Sequence, residues 1–304
     1  MYKDIVDINL RERSERVKTG MMGFDRLLGG VRPGEITLMI GASGSGKSTL
    51  AKQVLINVAE QNKKIWLFDA EFPNDMTKQN LMIQLAGAEN LEIEHDEYYK
   101  MDFTHVKEEK SDIIDKWLSG KIYVHDDSQT YTDDIIESMI AAKYEHNIDV
   151  FVLDNLMMFR SQDEDKTKWD EQAETMKKLQ EFVIKEGVHV FIVAHAKKPS
   201  APDQRLTQYC VMGSSEISNL SSNIITVERL DKESPQKFFT NMLELRNIEY
   251  DSCLKIHKNR VIGLVREAYF TVDPISKSYF DPFIQRKILK RGWETGGEWL
   301  FDVK

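Results

Sequence analysis

The chain has few cysteines and no long apolar run, and both absences limit what it can be. Only two cysteines occur in 304 residues, Cys210 and Cys253. This favours a reducing compartment and argues against a cysteine zinc site, because disulfides persist in oxidising compartments. No apolar run approaches the roughly 18 residues of a transmembrane helix, and the charged residues 1–16 lack the apolar stretch of a secretory signal. We therefore expect a cytoplasmic protein without a membrane partner.

Basic residues are outnumbered as well. The chain has 41 Lys and Arg against 50 Asp and Glu, a net charge of −9, while an apolar fraction of 41% is enough for a core. Nucleic-acid binding needs clustered basic residues, so the net charge does not favour it. The charge is uneven, however: residues 89–120 contain ten acidic residues and four lysines. We expect this stretch to form an acidic excursion on the surface.

The middle of the chain alternates short β-rich runs with helical patterns. This alternation predicts an α/β domain with a mostly parallel central sheet flanked by helices. Asn74 and Thr132 are expected to be helix N-caps. Beyond residue 229, two β-rich runs joined by a turn at Gly263 predict antiparallel strands at the C-terminal edge. The predicted strands are 35–40, 64–69, 121–125, 150–154, 189–194, 223–228, 253–261 and 268–272; the predicted helices are 47–60, 75–85, 132–146 and 168–185.

Residues 41–48, GASGSGKS, match the phosphate-binding pattern GxxxxGK[ST] in full. They follow a predicted strand and open a predicted helix, which is the context this motif requires. Glycines let backbone N–H groups curl around phosphates, and the helix N-terminus adds a favourable dipole. Lys47 is expected to reach the β- and γ-phosphates, and the Ser48 hydroxyl to ligate Mg²⁺. The motif predicts nucleotide binding strongly, because a chance glycine-rich turn seldom matches it.

Acidic residues follow two other predicted strands. Asp154 ends the apolar run 150–154, at the carboxyl edge where ligands of parallel sheets bind, and is expected to hold Mg²⁺; alternatively it caps the following turn. Glu71 lies just beyond the strand 64–69, which we expect beside the P-loop strand or its neighbour. A carboxylate there can orient and deprotonate the attacking water. Asp69 is a competing candidate for that role.

His195 ends the predicted strand 189–194, which is expected beside the Asp154 strand. There it could contact the γ-phosphate, although a lone histidine at a strand end is more often structural. The loop 196–213 that follows contains Lys197, Lys198 and Arg205 with a single acidic residue. Basic loops beside a nucleotide site can hold a nucleic-acid backbone; the alternative is an ordinary solvated loop.

Taken in order and spacing, these motifs resemble the RecA-type core of the DnaB-like replicative helicases. The resemblance is nearest to the helicase domain of phage primase-helicases and the mitochondrial Twinkle helicase, and it spans residues 19–280. No motif after the P-loop is specific alone. The motifs that carry it are TG at 19–20, FDRLLGG at 24–30, RPGE at 32–35, the P-loop, Glu71, DN at 154–155, HAK at 195–197, GS at 213–214, NIITVER at 223–229, KNR at 258–260 and Gly263.

The resemblance implies a RecA-like P-loop NTPase core and roles for particular residues. Glu71 would be the catalytic glutamate and His195 the γ-phosphate sensor. Arg260 would be an arginine finger offered to the nucleotide of a neighbouring subunit, assisted by Lys258. In place of the acidic residue usual after the finger in phage members, this chain has Val261-Ile262-Gly263-Leu264. The nucleotide-binding set would be Gly41, Ser43, Gly44, Ser45, Gly46, Lys47, Ser48, Thr49 and Arg229, with Ser48 and Asp154 as the metal ligands.

The resemblance also implies cofactors, partners and boundaries. The nucleotide would be ATP or another NTP or dNTP with Mg²⁺, and the enzyme a helicase that translocates on single-stranded DNA as a homo-oligomer, a hexamer. Lys197, Lys198 and Arg205 would contact DNA, with weaker support for Arg160 and Lys166. A separate primase or a DNA polymerase is the further expected partner, in the cytoplasm of a bacterial or phage-infected cell. We expect a linker or oligomerisation segment at 1–18, the ATPase domain at 19–282 and a tail at 283–304 that binds a polymerase or DNA, or packs on its own core.

A different class of function stays open at this point. A RecA- or KaiC-like ATPase that acts in recombination or regulation without unwinding shares the opening at residues 24–35. The region from Gly213 to Arg260 favours the helicase. A small-molecule kinase is disfavoured, because no arginine-rich lid segment follows the sheet.

Overall fold

The computed structural model describes residues 16–126, 130–163, 165–196, 206–207, 210, 215–230, 250–263, 265–281 and 291–294. Its centre is a nine-stranded sheet with the strand order β11-β10-β9-β8-β1-β7-β6-β2-β5. The strands are β1 Glu35–Gly41, β2 Ile65–Asp69, β5 Ile122–Val124, β6 Val150–Asp154, β7 His189–His195, β8 Asn223–Arg229, β9 Ser252–Asn259, β10 Arg266–Val272 and β11 Tyr279–Phe280; a separate hairpin contains β3 Leu91–Asp96 and β4 Met101–Val106.

Six strands, from β5 to β8 in the sheet, run parallel. Those at the centre are almost continuous apolar runs, because helices cover both of their faces. From β8 onward the pairing with β9, β10 and β11 is antiparallel. The predicted α/β class and the antiparallel C-terminal edge are therefore confirmed.

The helices enclose two hydrophobic layers, one on each face of the sheet. Leu50 and Leu55 pack in one layer, and Met139 and Leu179 in the other; all four are fully buried. Helices that carry apolar residues three or four positions apart supply each layer. They are α1 Met22–Leu28, α2 Lys47–Ala59, α3 Asn74–Ala86 and α4 Glu108–Leu118 around the first layer, and α5 Thr132–His146, α6 Lys168–Glu186 and α7 Ser215–Leu220 around the second.

The acidic stretch 89–120 forms the β3–β4 hairpin followed by α4. The hairpin is exposed, and the side chains of Tyr98, Met101 and Phe103 are among its open apolar groups. The helix instead buries Ile114 and Leu118 in the first hydrophobic layer. Only part of this stretch is thus the surface excursion that its charge predicts.

The two predicted N-caps are wrong. Both helices begin at the named residue itself, so that Pro73 and Tyr131 precede them at the cap positions, and no side chain caps either end. The Asn74 amide instead donates to Asp126 Oδ1 at 2.7 Å, and the Thr132 hydroxyl lies 2.8 Å from that of Thr175. Both side chains thus contact residues distant in the chain instead of capping their own helices.

Both ends of the described chain touch the core. Val17 forms an antiparallel bridge with Val31. Near the C-terminus, Arg291 Nη1 donates to Asn57 Oδ1 at 2.7 Å, and Trp293 Nε1 donates to the Leu85 carbonyl at 2.9 Å. The described part of the tail therefore packs on its own domain. No helix in the described ranges is both long and apolar enough to span a membrane.

A buried histidine links β7 to the turn before β1. His189 Nδ1 donates to the Arg32 carbonyl at 2.7 Å, and Nε2 lies 3.1 Å from the Thr37 hydroxyl. Burial lowers the pKa of His189 to about 4, from 6.5. The neutral ring satisfies both partners, and burial disfavours the protonated, charged ring.

We predict that this histidine makes stability depend on pH. Its pKa is lower in the folded state, so its contribution is complete above about pH 6.5 and is lost as the pH falls towards 4. The free energy of unfolding of the wild type minus that of His189→Leu should increase by up to about 3 kcal/mol as the pH is raised from 4 to 6.5. Urea unfolding of both proteins at several pH values measures the difference; parallel curves would contradict the assignment.

Candidate nucleotide-binding site

The P-loop joins β1 to α2 as the sequence predicts. Its tip, at Ala42, Ser43 and Gly44, is exposed, while Ser45 and Lys47 are buried at its base. Gly44 has a positive φ of 74°, and a Cβ built there would meet nothing within 4 Å, so the tip leaves open space beside its backbone. Such a loop at the start of a helix presents N–H groups to an anion.

Tyr279, on strand β11, contacts the base of the P-loop and supports it. Its hydroxyl donates to the Gly46 carbonyl at 3.0 Å, and Gln53 bonds both the N–H and the carbonyl of its backbone. A Cβ at Gly46 would collide with this hydroxyl, so glycine is required there. Burial raises the pKa of Tyr279 to about 12. The sequence pattern does not indicate this contact, because it joins segments far apart in the chain.

Lys47 points across the loop and towards acidic residues. Its Nζ donates to the Ala42 carbonyl at 2.7 Å. Burial lowers the pKa of Lys47, and the nearby carboxylates of Asp154 and Glu71 oppose that shift. The Lys47 ammonium group thus lies between the P-loop and the two carboxylates, where the oxygens of a bound phosphate would contact it.

Asp154 lies at the carboxyl end of β6 and is 1% exposed. Burial raises its pKa to about 6, while Ser48 is near enough to lower it. Among the described residues, however, neither carboxylate oxygen has a hydrogen-bond partner of ordinary geometry. A buried carboxylate without partners is costly unless a cation compensates it. Its oxygens and the nearby Ser48 hydroxyl are hard ligands of the kind that suit Mg²⁺.

Asp69, the alternative to Glu71, is occupied by a structural ion pair. Its Oδ2 lies 2.7 Å from Lys52 Nζ, both side chains are buried, and Thr77 donates to the same oxygen. Its Oδ1 accepts from the Glu71 backbone N–H at 3.2 Å. Asp69 therefore anchors the segment that carries Glu71, which leaves Glu71 as the candidate base at this edge.

Glu71 reaches the site from a strand farther away than the sequence suggests. The expectation that its strand lies beside the P-loop strand or its neighbour is wrong, because β7 and β6 separate β1 from β2. The side chain compensates for this distance: Glu71 Oε1 lies 3.2 Å from His195 Nε2. The strand of His195, β7, lies beside the Asp154 strand as predicted, and on its other side His195 pairs with Gly41 of β1.

Asn155, which follows Asp154, joins these two side chains. Its Nδ2 donates to Glu71 Oε1 at 2.7 Å and lies 3.4 Å from His195 Nε2. The sequence places Asn155 in a family motif but gives it no role. Its polar side chain directly after a buried strand is the signal that could have marked it.

Lys258 and Arg260 lie at the opposite edge of the sheet. β9 runs antiparallel to β8, so that Arg229 pairs with Ser252 near the P-loop edge and Asn223 pairs with Asn259 at the far edge. The seven residues of β8 span roughly 20 Å. Lys258 and Arg260 donate instead to the Asn219 carbonyl at the end of α7.

Arg229 lies at the other end of β8, near the nucleotide site and away from Lys258 and Arg260. It is exposed at the end of β8 and close enough to Tyr279 to oppose the rise in the pKa of that phenol. Thr49 lies on α2, where its carbonyl accepts from Gln84 at 3.0 Å. These positions are compatible with nucleotide contacts by Arg229 and Thr49.

The three predicted DNA contacts, Lys197, Lys198 and Arg205, lie outside the described residues. Of the weaker candidates, Arg160 is exposed, and Lys166 Nζ is 2.6 Å from Glu174 Oε2. Lys166 is thus already paired with a carboxylate on α6.

The fold and this edge of the sheet define a class. A strand, P-loop and helix stand beside a parallel strand that ends in a buried aspartate, with a carboxylate and a histidine near both. These are the features of a P-loop nucleoside triphosphatase with a RecA-like core.

The chain belongs to the DnaB-like helicase C-terminal domain family, whose model matches residues 16–260. It is similar to the solved structure of a DnaB-like replicative helicase that interacts with primase, with a TM-score of 0.69, 13% identity and coverage of 87% of this chain and 61% of that one. A second solved structure, of an ATPase domain, gives a TM-score of 0.70 at 13% identity, covering 87% and 90%. At such identity these two likenesses show the fold alone.

A local similarity connects the chain with a DNA repair protein. RadA of Salmonella typhimurium is 47% identical over 66 residues, which are 21% of this chain and 14% of RadA. The chain therefore matches only a small part of that relative. The family assignment rests on the longer match, and it is a family of NTP-hydrolysing enzymes.

We predict that Asp154→Asn stabilises the protein while removing Mg²⁺-dependent hydrolysis. The pKa of Asp154 is raised in the folded state, so its contribution to stability is present below about pH 3.8 and is lost as the pH rises through 6. At pH 7.5 without Mg²⁺, the variant should be more stable than the wild type by up to about 3 kcal/mol. Denaturant unfolding at pH 4 and pH 7.5 tests this; an equal loss of stability at both would refute it.

Proposed function

We propose that this chain is the motor domain of a ring-shaped replicative DNA helicase, which translocates on single-stranded DNA by hydrolysing ATP or another NTP or dNTP. The observation that carries this proposal is the division of the site between two sheet edges. Lys47, Asp154, Glu71 and His195 meet at one edge, and Arg260 lies at the other. Membership of the DnaB-like family supports the same conclusion.

The P-loop residues would hold the phosphates. Backbone N–H groups from Gly41 to Thr49 would surround them, with the buried cation of Lys47 on the β- and γ-phosphates and Arg229 beside the nucleotide. Burial makes this cation more effective, since low local polarity strengthens its attraction for the phosphate charge.

Ser48 and Asp154 would hold Mg²⁺, which when bound neutralises charge that develops on the phosphates. Glu71 would orient the attacking water and accept its proton. Its distance from the P-loop strand suits this role, because a water has to fit between the carboxylate and the γ-phosphate. The buried Lys52–Asp69 pair keeps the backbone of Glu71 in place.

His195 would report the state of the γ-phosphate to DNA. It stands beside Gly41 and contacts Glu71, and the basic segment with Lys197, Lys198 and Arg205 follows it in the chain. A basic channel inside an acidic outer surface would reconcile DNA binding with the negative charge of the chain.

Arg260, assisted by Lys258, would complete the site of a neighbouring subunit. The roughly 20 Å across β8 exceed the length of an arginine side chain, so Arg260 cannot reach the P-loop of its own chain. Phosphoryl transfer gains from a cation offered in trans, because negative charge spreads over the transferred group. A closed ring, for which we propose six subunits, supplies one such neighbour at every site.

The alternative is a RecA- or KaiC-like ATPase that acts in recombination or regulation without unwinding. The 66 residues that are 47% identical to RadA do not distinguish the two functions, whereas the family match over residues 16–260 favours the helicase. Unwinding of a forked duplex would distinguish them.

We place the helicase in the cytoplasm, with a primase or DNA polymerase as its partner, in line with the replicative family. We further propose residues 1–18 as a linker to the adjacent subunit, 19–282 as the motor and 283–304 as a tail. The contacts of Arg291 and Trp293 support a tail that packs on its own core.

Mixing two inactive variants tests the finger. Lys47→Ala should lose DNA-stimulated hydrolysis, and Arg260→Ala should bind nucleotide without turnover. In an equal mixture, about a quarter of the interfaces of a cyclic assembly combine an intact P-loop with an intact finger. Hydrolysis with oligo-dT should therefore return to about that fraction of the wild-type rate.

Nucleotide affinity of each variant, measured with a fluorescent analogue, is the control for folding. An Arg260→Ala protein that turns over normally alone would refute the finger. A mixture with no regained activity, although both variants assemble with each other, would equally contradict a site shared between subunits.

A further inference from the structure

The side chain of Asn155 lies between the candidate base and the candidate sensor. It is 4% exposed. Its Nδ2 is 2.7 Å from Glu71 Oε1 and 3.4 Å from His195 Nε2, and these two atoms are 3.2 Å apart. The three polar groups thus form one compact cluster at the edge that holds the P-loop.

The orientation of the amide is fixed by a separate bond. Asn155 Oδ1 accepts from the Met157 backbone N–H at 2.9 Å, at the start of the short turn that follows β6. The oxygen therefore faces the turn, and only the NH₂ group can face Glu71. An amide nitrogen donates and does not accept, so the direction of the bond to Glu71 is determined.

The same geometry determines the proton on His195. Nε2 is within hydrogen-bond distance of a carboxylate oxygen that already accepts from Asn155. An N–H at Nε2 can donate to that oxygen at 3.2 Å, whereas an unprotonated Nε2 would direct its lone pair at the carboxylate and keep only the longer 3.4 Å contact with Asn155 Nδ2, so the shorter contact favours the proton on Nε2. Two donors therefore converge on Glu71 Oε1, and bonds of this kind to a charged acceptor are stronger than neutral ones.

We propose that Asn155 is a positioning residue that restrains Glu71 against His195 in the resting site. This inference rests on the proposed function, since it assigns a restraint to the base of that reaction. While both donors hold Oε1, that oxygen cannot take a proton from water, and the carboxylate cannot turn to bring Oε2 towards one. Because Asn155 directly follows Asp154, changes at the metal and phosphate position act on it through a single peptide unit.

Release of Glu71 would then couple hydrolysis to DNA. In the proposed function, DNA would bind the basic segment that follows His195 in the chain, and such binding would shift the histidine and loosen the cluster. Removing the amide donor should imitate this release. The restraint therefore predicts that loss of the buried Asn155 amide raises basal turnover.

The variant Asn155→Ser should lose the hydrogen bond to Glu71 and keep the one that stabilises the turn after β6. Serine can still accept from the Met157 N–H but is too short to reach Glu71. We expect basal hydrolysis without DNA to rise about tenfold, and the factor by which oligo-dT stimulates hydrolysis to fall correspondingly. Tyr144→Phe, which removes the 2.9 Å hydrogen bond to Glu186 between the last turns of α5 and α6, should leave that factor unchanged.

A second readout does not require hydrolysis. In protein with ¹⁵N-labelled histidine, the wild type should show His195 with a hydrogen-bonded proton on Nε2, and Asn155→Ser should shift that signal. His189, with its proton on Nδ1, is an internal reference. This spectrum tests the cluster even if the chain proves to have no helicase or NTPase activity.

The outcomes distinguish the two proposals. Raised basal turnover, reduced stimulation and a shifted His195 signal support the restraint. A parallel fall in basal and stimulated turnover, or unchanged turnover in both, overturns it while leaving the proposed function standing. A wild type without turnover overturns the proposed function, and an unshifted His195 signal overturns the restraint whether or not turnover is found.

Discussion

The parallel register of β1, β7, β6 and β2 is the constraint on which the rest of the site depends. It aligns the carboxyl ends of these strands, so that Gly41, His195, Asp154 and Asp69 emerge at one edge. Hydrogen bonds along the strands fix this alignment, and two buried apolar layers fix which face each side chain takes. Without it, Lys47 and Asp154 would not share the buried environment that shifts the pKa of each.

The antiparallel edge has the opposite consequence. Since β9 reverses direction beside β8, its last residues are carried away from the P-loop while Arg229 stays near it. Strand β10 runs back to the P-loop edge, and β11, which begins there, places Tyr279 next to Gly46. The antiparallel strands thus support the nucleotide site of their own chain through Tyr279 and carry two cations, Lys258 and Arg260, away from it. A site that needs such a cation has to obtain it from another molecule.

Much of this arrangement follows from the sequence. The P-loop predicts its own strand and helix, and the buried run 150–154 predicts Asp154, because both signals are local. The order of the strands is not local, which is why the sequence does not predict the distance from β1 to Glu71. Asn74 and Thr132 show the same limit, since their partners are distant in the chain.

Some residues of the site carried no usable signal at all. The contacts of Tyr279 and Lys52 depend on tertiary packing that no short motif encodes. Asn155 had a signal, as a polar residue after a buried strand, but its role depends on the positions of Glu71 and His195. The roles of Glu71, His195 and Arg260 in catalysis remain predictions, although geometry brings the first two together and separates the third.

The central claim is that the nucleotide site is completed by a second copy of the chain. Negative-stain imaging of the protein with a non-hydrolysable nucleotide, Mg²⁺ and oligo-dT tests it most directly. The account predicts closed rings, with six subunits as the expected number. Monomers under all nucleotide and DNA conditions would contradict it.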